Sequence, residues 1–118
     1  MENSGGIQAS LAGRYATALF GLARDEKQLE AVGASLSSVR DALRESSDFR
    51  ELTTSPLVSR GEAVKAVGAT AQAMRLDPIT TSFLGVLAQN RRLSQLGQVI
   101  RAFNMLAARH RGETAAEI

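Results

Sequence analysis

The sequence predicts an all-α domain, and three observations lead there. Of 118 residues 44% are hydrophobic but only five are aromatic (Tyr15, Phe20, Phe49, Phe83 and Phe103), so the core must be built from Ala, Leu and Val, a palette that favours closely packed helices over a sheet. Apolar residues recur at three- and four-residue steps through most of the chain. Start signals for helices also fall between those periodic segments, at Ser59–Glu62 and at Asp77-Pro78. The length is that of one domain with one core.

Residues 1–6 hold Asn3, Ser4, Gly5 and Gly6 with almost nothing to bury and are expected to be a disordered end. The first long helix is expected over 7–25. At about 100° per residue it places Leu11, Ala12, Tyr15, Ala16, Ala18, Leu19, Phe20, Leu22 and Ala23 on one arc of about 200°. A surface helix with one neighbouring core needs only about 100°. Such a helix is either buried on two sides or has a second client. The second helix, 27–45, carries the narrow seam Leu29, Val32, Leu36, Val39 and Leu43 expected of an antiparallel bundle helix with one dry edge. A short helix near 48–53 follows the break at Ser46–Asp48 and ends before Pro56, because the residue preceding proline is pushed out of the helical region.

The next helix, 59–74, opens with a capping box: the Ser59 hydroxyl accepts from the Glu62 amide while the Glu62 carboxylate accepts from the Ser59 amide. Gly61 and Gly68 each cost up to about 1 kcal/mol relative to alanine in a helix interior, making it the weakest of the set. Asp77 as N-cap and Pro78 at the first helical position start the fifth helix, 78–90. Its residues Ile79, Phe83, Leu84, Val86, Leu87 and Ala88 again cover about 200°, interrupted by Thr80 and Asn90. The last helix, 92–111, is seamed by Leu93, Leu96, Ile100, Phe103 and Ala107, and Gly112 is expected to close it as a left-handed cap. The domain is thus expected over 7–112, with 113–118 opening a linker to a C-terminal domain outside this chain.

Several function classes are excluded by composition. With no cysteine there is neither a disulfide framework nor a thiolate metal site, and a cytosolic setting is expected. His110 is the only histidine, so one chain supplies neither a histidine metal pair nor a Ser-His-Asp triad, and the glycines form neither a P-loop nor a dinucleotide fingerprint. No catalytic residue, metal or cofactor is expected. Twelve Arg and two Lys oppose twelve acids for a net charge of +2, which is no nucleic-acid footprint, and Asn90-Arg91-Arg92 follows a helix too apolar to lie in a groove of DNA. No apolar run approaches the roughly 18 to 20 residues that cross a bilayer, and residues 1–10 lack a signal-peptide pattern.

Four motifs in order carry a resemblance. The stretch Leu11-Ala-Gly-Arg-Tyr15-Ala-Thr-Ala18-Leu-Phe20-Gly-Leu-Ala23 resembles the first helix of the delta subunit of F-type ATP synthases, the oligomycin-sensitivity-conferring protein of mitochondria. Ser55-Pro56-Leu57-Val58-Ser59-Arg60, then Phe83-Leu84 through Asn90-Arg-Arg92-Leu93, then Arg109-His110-Arg111-Gly112 with the exit Ala116-Glu117-Ile118, are similar to later motifs of that family. Gly13 and Arg14 depart from it, standing where other members often have arginine or proline.

This resemblance implies a six-helix bundle at the cytoplasmic face of the inner membrane, peripheral to it, as a non-catalytic stator component of the peripheral stalk. It implies two partners: the N-terminal segments of the alpha subunits of the catalytic head, received as an added helix between helices one and five, and the b subunits, engaged through the C-terminal domain. Tyr15, Ala18 and Val86 match the family's groove positions, and helical spacing extends the set to Leu11, Leu22, Phe83 and Asn90. Those two helices are also the ones whose apolar arcs exceed the needs of one core. The alternative is a free-standing helical interaction or regulatory module whose wide arcs serve self-association.

Overall fold

The computed structural model describes residues 10–116. Among the described residues six α-helices follow one another: α1 (Leu11–Asp25), α2 (Leu29–Glu45), α3 (Ser47–Thr54), α4 (Arg60–Ala73), α5 (Pro78–Gln89) and α6 (Leu96–Ala116), with a 3₁₀ turn (Leu93–Gln95) leading into α6. The all-helical expectation stands. Residues 1–9 and 117–118 lie outside the description, and with them the expected unstructured end and the chain's exit.

Most helix starts follow the side chains read from the sequence. Ser59 and Glu62 form the reciprocal capping box of α4, with amide-to-oxygen distances of 3.1 and 3.0 Å. Asp77 caps α5 through the Thr80 amide (3.0 Å), and Pro78 occupies its first turn. Ser46 caps α3 through the Phe49 amide. The first helix begins at Leu11 rather than near Ile7: Ser10 is extended (φ −78°, ψ 158°) and its hydroxyl accepts from the Gly13 amide, which fixes the boundary.

Helix ends depart from expectation. No described glycine has positive φ, and Gly112 lies inside α6, which runs four residues past it to Ala116. A glycine in a helix interior costs about 1 kcal/mol, which a helix of 21 residues sustains without ending. Basic residues take the left-handed position instead: Lys27, Arg75 and Arg91 have φ of 59°, 57° and 55° after α1, α4 and α5. Each closes the same paired hydrogen-bond motif, as when Lys27 N–H donates to the Arg24 carbonyl and Gln28 N–H to the Ala23 carbonyl. A cation there faces the negative end of the helix dipole, which offsets part of the conformational cost. The final helix also starts later than expected, at Leu96, because Arg92 is not helical (φ −123°, ψ 18°) and the 3₁₀ turn intervenes, burying Leu93.

The core is centred on α2, which touches α1, α3, α5 and α6. Its seam residues Val32, Leu36 and Val39 are fully buried among Leu84 and Leu87 of α5 and Leu96, Ile100 and Phe103 of α6. Helix α1 packs most extensively on α6 and α4 on α5. Phe20 and Phe103 meet edge to face at 5.7 Å across the α1–α6 contact. Arg50 of α3 donates to the Leu43 and Arg44 carbonyls at 2.9 and 2.7 Å, satisfying the carboxyl end of α2.

Candidate functional site

The apolar arc of α1 is divided between two environments. Ala12, Ala16, Leu19, Phe20 and Ala23 are buried against the bundle, whereas Leu11, Ala18 and Leu22 are exposed and Tyr15 is half-buried. Helix α5 divides likewise, with Leu84, Leu87 and Ala88 inward, Ile79 and Phe83 half-buried and Val86 exposed. The two outward faces look onto an open, largely apolar cleft of about 360 Å³. Ala18, Leu19 and Leu22 form one wall and Pro78, Ile79, Ser82, Phe83 and Val86 the other.

Two contacts, both made by Tyr15, join the helices at one end of the cleft. The Tyr15 and Phe83 rings meet edge to face at 6.2 Å, and the Asn90 side-chain amide donates to the Tyr15 hydroxyl at 3.0 Å, joining residues 75 positions apart. Since Tyr15 lies opposite Phe83 and Asn90 while Leu22 lies with Pro78 and Ile79, the helices run antiparallel along the cleft. Leu22 is 48% exposed and Val86 47%, so each has about half its surface still to bury. Ala18 between them presents only a methyl group, which lets a second backbone come near.

The position of α5 is fixed by a polar knot at its start. Thr80 is fully buried, and its hydroxyl donates to Asp77 Oδ1 at 2.7 Å while its amide donates to Oδ2. The Asp77 amide in turn donates to Ser35 Oγ on α2 at 3.2 Å. Partial burial alone would raise the Asp77 carboxyl, but hydrogen bonds from the Ser35 and Thr80 hydroxyls and from the Thr80 and Asp77 amides outweigh it and hold it below the usual aspartate range. The knot anchors one wall of the cleft to the centre of the bundle.

Of the seven residues picked from the sequence, Ala18, Leu22, Phe83 and Val86 line the cleft and Tyr15 and Asn90 bridge its helices. Leu11, at 38% exposure, lies one turn before Tyr15 and does not line it. Sequence reasoning missed Leu19, Pro78, Ile79 and Ser82 as wall residues, although it placed Leu19 and Ile79 on the apolar arcs. Pro78 read only as a helix start, and a serine on a polar edge gives no apolar signal. Among the described residues no group of His, Cys, Asp and Glu is placed to hold a metal, and no helix is long and apolar enough to cross a membrane.

The family model of the ATP synthase delta (OSCP) subunit matches residues 11–118, from the first residue of α1 onward. This chain belongs to that family. It is 75% identical over its full length to the ATP synthase subunit delta of Rhizorhabdus wittichii, and 50% identical to that of Erythrobacter litoralis. It spans 64% of the length of each of these curated relatives. A chain in the cryo-EM structure of the Toxoplasma gondii mitochondrial ATP synthase hexamer superposes with a TM-score of 0.75 at 41% identity, over 80% of this chain and 52% of that one. Family membership accounts for the order of the four sequence motifs, and the bundle supplies the reason two of them share one cleft.

Proposed function

We propose that this chain is the head-binding portion of a peripheral-stalk subunit of F-type ATP synthase, and that it works by accepting the N-terminal helix of an alpha subunit in the α1–α5 cleft. It catalyses nothing. The observation that carries the reading is the unfinished apolar surface of two adjacent helices, with Leu22 and Val86 each half exposed on either side of the small Ala18. An amphipathic helix laid there with apolar residues at three- and four-residue steps would cover both. Burying a leucine or valine side chain completely is worth about 1.5 to 3 kcal/mol, so completing these two contributes roughly half of that from each. That gain comes from association because the bundle leaves it unrealised.

In this role the protein acts by statics. A stator must hold the catalytic head against the torque of the rotating shaft, and the grip here is the helix in the cleft. The b subunits would be engaged through a C-terminal domain outside this chain, and the assembly would sit at the cytoplasmic face of the inner membrane, peripheral to it. Family membership and the likeness to a chain of a mitochondrial ATP synthase support the setting. The cleft supports the mode of contact.

The test is titration of an alpha N-terminal peptide into the chain and into two variants, Ala18→Asp and Val86→Trp, with circular dichroism to check the fold. Ala18→Asp puts a carboxylate where an apolar helix must lie, and the expected result is a loss of affinity of about tenfold or more with helicity retained. Unchanged affinity in both folded variants would remove the cleft from the account. Sedimentation of the unaltered chain addresses self-association: a stable dimer indifferent to the peptide would favour that alternative.

A further inference from the structure

The two ends of the α1–α5 cleft are held by different means. At one end Tyr15 meets Phe83 and Asn90, so the helices are joined directly. At the other, where Leu22 lies with Pro78 and Ile79, no hydrogen bond or ring contact among the described residues links α1 to α5. The spacing there is set through a third element. Helix α2 packs on both α1 and α5, and it carries a buried polar side chain, Ser35, that reaches the start of α5.

Ser35 Oγ accepts from the Asp77 amide at 3.2 Å, across 42 positions of sequence. Partial burial disfavours the charged Asp77 carboxylate, and a hydrogen bond from the same Ser35 hydroxyl helps to favour it. Asp77 carries the tie into α5, because its carboxylate accepts from the amide and from the fully buried hydroxyl of Thr80. Pro78 and Ile79, the wall residues at this end, follow Asp77 directly. On its other side α2 is locked to the end of α1 by the corner 26–28, where Lys27 N–H donates to the Arg24 carbonyl and Gln28 N–H to the Ala23 carbonyl. Leu22 and Ile79 are thus connected through the corner, α2, Ser35 and Asp77. Apolar packing is non-directional and lets a helix slide or tilt, whereas a hydrogen bond between buried groups has one geometry. Without the Ser35 oxygen the Asp77 amide must find another acceptor, and the start of α5 moves with it.

We infer that Ser35 is a positioning residue for the cleft: it lines neither wall, yet it sets the distance between α1 and α5 at the Leu22 end. Its bearing on peptide capture rests on the function proposed above, whereas its bearing on the shape of the cleft does not.

The test compares Ser35→Ala with Ser46→Ala by NMR of the isotope-labelled chain and by titration of an alpha N-terminal peptide. Both variants lose a hydroxyl that accepts from a backbone amide, but Ser46 caps α3, which contributes nothing to the cleft walls. In the free chain Ser35→Ala should shift the Leu22 and Ile79 methyl signals and leave the Tyr15 ring and the Asn90 side-chain amide in place, while Ser46→Ala moves none of them. Peptide affinity should fall about fivefold in Ser35→Ala and stay within about twofold in Ser46→Ala, because apparent affinity follows the fraction of molecules whose wall is in position. Ser35→Cys keeps the volume and offers only a weak acceptor, and it supplies the same readouts should the alanine variant fail to fold. Unmoved Leu22 and Ile79 signals in a folded Ser35 variant overturn the inference, as do equal effects of Ser46→Ala or an unchanged affinity in a chain that binds the peptide. If the unaltered chain ignores the peptide, the proposed function falls, and the methyl signals by themselves decide the role of Ser35.

Discussion

Helix α1 has two apolar flanks, and they meet opposite fates. Towards α6 it is closed: Phe20 and Phe103 interlock at 5.7 Å, Ala16 and Ala23 are fully buried, and α6 is its most extensive neighbour. Towards α5 it is open, joined through Tyr15 to Phe83 and Asn90 and otherwise separated by a cleft of about 360 Å³. Both flanks carry similar residue types. The difference teaches that hydrophobicity of a face sets its tendency to be covered, while the distance to the neighbouring helix decides whether the chain itself does the covering.

The contrast breaks most sharply under truncation. Phe103→Ala removes the centre of the closed flank and should cost about 3 to 5 kcal/mol in chemical denaturation, whereas Leu22→Ala on the open flank should stay within about 0.5 kcal/mol, because its surface is half in water already. Similar losses for the two would mean that the open flank is as much core as the closed one. The same pair should reverse in a binding assay, with Leu22→Ala weakening capture of an alpha N-terminal peptide.

A smaller effect lies in the knot that fixes α5. Replacing Asp77 by Ala removes the N-cap and leaves the buried Thr80 hydroxyl without its acceptor, and should cost about 0.5 to 2 kcal/mol at neutral pH. The sign of its pH dependence follows from a folded-state carboxyl held below its unfolded value. The contribution is complete above the unfolded aspartate range and is lost as pH falls through the lower, folded one, so the stability gap between the unaltered chain and Asp77→Ala should narrow on acidification. A gap constant across the carboxyl range would show that the hydrogen bonds do not act through the charged form.

The smallest expected change sharpens the comparison at the bridge. Tyr15→Phe deletes the hydroxyl that accepts from Asn90 but keeps the ring on Phe83, and thermal unfolding should register a loss of about 0.5 to 1 kcal/mol. Asn90 is exposed, so water can replace the lost partner. A loss well above that range would mean that the bridge, rather than α2, spaces α1 from α5.

Much of this was legible along the chain. The α2 seam from Val32 to Val39 is buried as its narrow period requires, because a residue pattern with one apolar stripe has one way to satisfy it. Ser59 with Glu62, and Asp77 with Pro78, act through bonds to backbone three residues away, and short-range chemistry is readable in short-range sequence. Gly112 was not readable in this way. Glycine permits a left-handed end without imposing one, and the observed ends fall at Lys27, Arg75 and Arg91, where paired backbone hydrogen bonds and the helix dipole outweigh the cost of a side chain.

The residue pattern alone was enough to order the helices, to mark the starts capped by Ser59 and Asp77, and to show that α1 and α5 carry more apolar circumference than one bundle consumes. Tertiary structure alone decided how that surplus was divided: Leu19 and Leu87 went inward, Leu22 and Val86 stayed at the surface, and Tyr15 came to rest against Asn90. Periodicity records an angle around one helix axis, whereas burial depends on the spacing between axes, and that spacing is fixed by all the helices at once.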